Sequence, residues 1–185
     1  MNVSAAVPVT GCQAPHFSAF AHILIAPPSA DQLWVLRNPE YTAHLSGTNP
    51  ETRRALALLV ESAVAREQVA KLTEDFHRTL NPHVARDAPL ARHHLAVDVS
   101  QLRSDLAALT PEGREVENLP RDHLGVLLYA VGQAWQDNKI ERAREAVETL
   151  VRPWAGAAFA TLALRSASLF YQGVHTLGAQ VFTQR

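Results

Sequence analysis

The residues best placed for chemistry lie together in Leu119-Pro120-Arg121-Asp122-His123-Leu124, at the start of an apolar helical pattern. Two readings of this turn are open. In the structural one, Asp122 accepts a bond from a first-turn amide and caps the helix, while His123 packs against the preceding loop. In the functional one, the helix start leaves spare amides, and Asp122 adds a carboxylate beside an exposed imidazole. A corner of that kind suits a cationic, extended peptide.

Other chemistry is sparse. There is no Gly-rich phosphate loop, no G-x-S-x-G elbow and no H-E-x-x-H pair. Glycine is only 8 of 185 residues, so backbone cradles for phosphate are hard to build. The chain has nine histidines, but adjacent His93 and His94 diverge by about 100° on a helix and do not share an ion. Cys12 is the single cysteine, which excludes an internal disulfide and a Cys-rich zinc site. We therefore expect no catalytic residues and no metal.

Composition is that of a globular protein. At 185 residues the chain suits one domain, and 47% apolar with 19% charged residues is a globular balance. A net charge of -1 argues against gripping nucleic acid or an anionic membrane. No helix-turn-helix with clustered Arg and Lys is visible. The first 36 residues carry one charged side chain, Asp31, so the apolar stretch 17–26 lacks the positive flank of a secretory signal. No apolar run reaches the roughly 18 residues of a membrane span. The expectation is a soluble cytoplasmic protein.

The elements that must position the turn read as helices. Residues 1–14 look irregular, and 15–185 read as a single all-helical domain. Phe17, Phe20, Ala21 and Leu24 share one helical face until Pro27-Pro28 stops the run. Ser29 or Asp31 caps a short helix bearing Leu33, Trp34 and Leu36. Thr48 or Asn49, then Pro50 and Glu51, open the clearest helix. Its stripe of Leu56, Leu59, Val60, Ala63 and Val64 shifts phase near Glu67, then continues through Val69, Leu72, Phe76 and Leu80. A weaker helix spans 96–109, and a polar loop leads from Thr110 to Pro120. Leu124, Leu127, Leu128, Val131 and Trp135 mark the next helix, and another starts near Ile140. Pro153 separates that one from a last helix with Phe159, Leu162, Ser166, Phe170, Val174, Leu177 and Val181. With no alternating strand run, the fold class is an all-α bundle of about six or seven helices.

The stretch 119–131, Leu-Pro-Arg-Asp-His-Leu-Gly-Val-Leu-Leu-Tyr-Ala-Val, resembles the signature of the TorD-type redox-enzyme maturation chaperones. Residues 22–36 are similar to that family's first helix, double-proline break and short second helix. Asp75-Phe76-His77-Arg78 resembles its helix end before the variable middle, and Trp154, Phe159 and Phe170-Tyr171 its last part. The likeness spans about 15–180. Leu119 stands where the family has Glu, with Glu117 two residues earlier, and the run 126–128 replaces the Glu of the following helix. Both changes weaken the acidic character of the expected groove.

The resemblance implies a TorD-like, cofactor-free cytoplasmic chaperone. Its partner would be a molybdopterin (Mo/W) oxidoreductase precursor, bound by its twin-arginine leader, its body or both and held from export until the cofactor is loaded. Such a leader offers two guanidiniums and an apolar stretch, so its receptor needs carboxylates beside an apolar groove. By this resemblance Asp122 is the acidic acceptor, His123 positions the turn or bonds a leader carbonyl, and Pro120 fixes the turn. Leu119, Leu124, Trp34 and Phe76 line the apolar side; for Trp34 and Phe76 plain core is the competing reading. Tyr129 stands open between the two, and Trp135 reads as core. The family type includes monomers and helix-exchanged dimers. The alternative is a non-catalytic helical ligand-binding or regulatory protein with the same bundle.

Overall fold

The computed structural model describes residues 14–38, 40, 49–85, 88–94 and 116–183. The regular elements among them are helices, as expected; one isolated antiparallel bridge joins Leu90 to His123. Cys12, the 96–109 pattern and most of the loop before Pro120 lie outside the described residues.

Local signals set the first elements. Helix α1 (Ala14–Ile25) buries Phe17, Phe20, Ala21 and Leu24. Helix α2 (Ala30–Arg37) opens with a capping box: the Ser29 hydroxyl accepts from the Gln32 N–H, and Gln32 Oε1 accepts from the Ser29 N–H. Asn49 caps α3 (Pro50–Val64), with Pro50 in the first turn.

The inward face of α3 differs from the expected stripe. Thr52, Ala55, Leu59 and Ser62 are buried, whereas Val60 is exposed and Val64 is 78% exposed. The reason is close packing. A Cβ on Gly173 would lie 2.9 Å from the Ala55 carbonyl, so the approach there selects small side chains. The phase shift near Glu67 is a break: Arg66 has φ 51°, and α4 restarts over Val69–Thr79.

The short α5 (Ala91–His94) precedes α6 (Leu124–Gln136). Next, α7 (Ile140–Ala146) runs through a π-helical turn (Val147–Val151) into α8 (Arg152–Arg165). Pro153 therefore does not separate two helices. The N–H of Arg152 donates to the Val147 carbonyl five residues back, and this wider turn accommodates the proline ring. The expected last helix is instead two, α8 and α9 (Leu169–Thr183).

Two buried carboxylates cause that second break. Asp75 accepts from the N–H groups of Ala167 and Ser168, the Ser168 hydroxyl and Arg78. Glu67 accepts from the N–H groups of Leu169 and Phe170, the Ser62 hydroxyl and Lys71. They replace helical carbonyls as acceptors and satisfy the open N-terminus of α9. Burial opposes charge on both, but their donors outweigh it and hold both carboxyls below the usual range.

Helix α9 packs between α3 and α8, and α1 packs on α6. Aromatic rings join the two sets: Phe20 lies 5.3 Å from Phe159, and Phe159 stacks on Phe182 at 5.6 Å. A Cβ on Gly178 would sit 2.6 Å from the Phe159 ring, which is fully buried and has no room to yield. Gly178→Ala is expected to destabilise the fold by about 1–3 kcal/mol, read by urea unfolding.

Candidate functional site

The turn that opens α6 is laced to the segment before α5. The Leu124 N–H donates to the Pro89 carbonyl at 2.8 Å, and the Ala91 N–H to the Asp122 carbonyl at 2.9 Å. The His123 N–H closes the turn onto the Pro120 carbonyl at 2.9 Å.

His123, not Asp122, caps α6. Its Nδ1 accepts from the Gly125 N–H at 3.2 Å, which requires Nδ1 to be unprotonated. The ring proton then lies on Nε2, which faces the Leu80 carbonyl at 3.4 Å. The imidazole is fully buried rather than exposed, so it positions the turn and presents no face to a leader carbonyl. Burial lowers its pKa to about 4, against the opposing pull of the Leu80 carbonyl and Asp122.

Asp122 is also buried, and it holds a guanidinium. Arg92 Nη2 donates to Oδ1 at 2.9 Å, and the Arg92 N–H lies 3.5 Å from Oδ2. The Arg92 side chain is 45% exposed and that of Asp122 only 7%. The expected acceptor is thus a guanidinium acceptor already occupied from within the chain.

The other candidates divide. Half-buried Leu119 and Tyr129 pack on a small cluster of Ile25, Val116 and Val126, beside half-buried Pro120. The Tyr129 ring also meets His22 edge-on at 6.0 Å. Leu124 and Phe76 belong to the main core and line no surface. Trp34 is not core: it is 61% exposed and lines a separate cleft of about 600 Å³ with Leu33, Arg37, Ala63, Glu67 and Val69. Arg37 braces the cleft by donating to the Ser62 hydroxyl at 2.7 Å and the Glu67 carbonyl at 2.9 Å. Trp135 packs against the core, half-buried.

One further pair has the chemistry of a nucleophile and base. Ser166 Oγ lies 2.9 Å from His175 Nδ1, but both residues are buried and no substrate reaches them. Ser166 donates its single hydroxyl proton to the Leu162 carbonyl, so His175 Nδ1–H donates to Ser166 Oγ. Nε2 is left without a partner between the rings of Phe159 and Tyr171. Among the described residues no group of three His, Cys, Asp or Glu is arranged to hold a metal, and no helix is long and apolar enough to cross a membrane.

Sequence reasoning missed Arg92, which stands 30 residues before Asp122. The two meet because the Leu90–His123 bridge aligns their segments, and no spacing rule reports that bridge. A scan of protein-family models finds no match to this chain, and neither does a search of curated proteins.

Proposed function

We propose that this protein is a cytoplasmic, non-catalytic maturation chaperone of the TorD type. In this reading it binds the twin-arginine leader or the body of a molybdopterin (Mo/W) oxidoreductase precursor and delays export until the cofactor is inserted. The observation that carries the reading is Asp122, a buried carboxylate at the head of α6 that binds a half-exposed guanidinium. The leader supplies the same group, and a buried carboxylate favours a guanidinium over the more strongly hydrated lysine ammonium. Leu119 and Tyr129 give the corner an apolar flank, and the Trp34 cleft is a second apolar surface for the stretch after the arginines.

Calorimetric titration with a synthetic twin-arginine leader tests the reading. Trp34→Ala is expected to weaken binding about ten-fold while leaving the unfolding midpoint within about 2 °C of wild type. Unchanged affinity would remove the cleft from the site. The cleft also favours a second reading, a small-ligand binding protein, since its volume falls in the range of such sites. Binding of a small apolar ligand at Trp34, with no response to any leader, would select it.

A further inference from the structure

We propose that Arg92 is an internal stand-in for the leader's arginine, so that the Asp122 site occupies itself until a leader displaces Arg92. The proposal rests on the chaperone reading above. Arg92 belongs neither to α6 nor to its turn; it reaches Asp122 from α5. Its backbone is tethered, because the preceding Ala91 N–H is bonded to the Asp122 carbonyl. Its side chain is half exposed, so the guanidinium is free to swing into solvent about its own torsions while the corner stays folded.

What resists the swing is Asp122. A carboxylate this buried is costly to leave unpaired, so departure of one guanidinium demands arrival of another. The exchange is like for like. It selects arginine over lysine, because a guanidinium is less strongly hydrated than an ammonium and costs less to bring to a buried carboxylate. It also weakens leader binding, because each leader must first displace the resident group. The neighbouring cations Arg121 and His93 are exposed and have no bond to Asp122 among the described residues, so Arg92 is the group that competes.

The test uses the full chain and a fluorescent synthetic twin-arginine leader, read by anisotropy. Arg92→Ala is expected to bind it about five-fold more tightly than wild type. Arg121→Ala, which removes an equal charge, is expected to change affinity less than two-fold. The double variant Arg92→Ala/Asp122→Asn is expected to lose the gain. An arm without leader uses arginine amide and lysine amide at millimolar concentration. Arginine amide should raise the melting midpoint of Arg92→Ala, but not that of wild type or the double variant, and lysine amide should have no effect. Should Arg92→Ala not fold, Arg92→Met keeps the packing of the stem.

Equal or weaker leader binding by a folded Arg92 variant overturns the proposal and leaves the chaperone reading standing. An equal gain from Arg121→Ala also overturns it, by reducing the effect to general charge. A wild type and an Arg92 variant that both bind no leader sink the chaperone reading, and this proposal with it.

Discussion

Asp75→Ala is expected to lower the unfolding free energy by about 3–5 kcal/mol. The buried Asp75 carboxylate accepts from the Ala167 N–H at 3.1 Å, the Ser168 N–H at 2.8 Å, the Ser168 hydroxyl at 2.6 Å and Arg78 Nη2 at 2.7 Å. The three donors from Ala167 and Ser168 lie at the break between α8 and α9, where no helical carbonyl replaces the lost acceptor. Asp75→Asn keeps the volume but turns an amide group toward donors, so a loss of about 1–3 kcal/mol is expected. Urea unfolding at pH 7 reads both. A loss under 1 kcal/mol for Asp75→Ala would show that water or a local shift satisfies the break.

The second large effect is acid destabilisation beginning well above the carboxylate range. His123 and His175 each have a pKa lowered from 6.5 to about 4, chiefly by burial. Asp75 and the Leu162 carbonyl pull the other way at His175, and the Leu80 carbonyl and Asp122 at His123. Between pH 6.5 and 4 the unfolded chain binds these protons and the folded one does not. Stability is therefore full above pH 6.5 and falls as the pH drops to about 4. Each histidine contributes on the order of 3 kcal/mol to this loss. Together they approach the whole stability of a typical domain. From about pH 4.5 downward the lowered carboxyls of Glu67 and Asp75 add a further loss, because the unfolded chain protonates them before the folded one does.

Local chemistry explains the direction. A proton on His123 Nδ1 destroys the cap of α6, and a proton on His175 Nε2 places charge between Phe159 and Tyr171. His123→Asn keeps a capping acceptor without titrating, and His175→Gln keeps a polar group of similar length. The double variant is expected to flatten the stability curve between pH 6.5 and 4. A wild-type curve flat over that range would contradict both assignments.

Signals that act within one turn were legible in the chain. Ser29 or Asp31, and Thr48 or Asn49 with Pro50, mark the two helix starts to within two residues, because a cap satisfies amides two or three residues away, and the structure selects Ser29 and Asn49. The face of α1 was legible too, since its aromatic residues repeat at helical spacing and all go inward. The face of α3 was not, because apolarity pointed to Val60 and Val64, while close approach of α9 selected Ala55 and Ser62. The break at Ser166 was hidden for a different reason: its acceptor, Asp75, lies 92 residues from Ala167. The site divides on the same line. The turn 119–124 is legible as a unit, but the cap falls to His123 and the carboxylate to Arg92 through contacts with Leu80, Leu90 and Arg92.

Titration of the wild-type protein with paired synthetic leaders, one twin-arginine and one twin-lysine with the same apolar stretch, tests the central claim most directly. The chaperone account predicts micromolar or tighter binding of the arginine leader, at least ten-fold weaker binding of the lysine leader, and loss of that preference in Asp122→Asn. Equal binding of both leaders, or binding of neither, would contradict it.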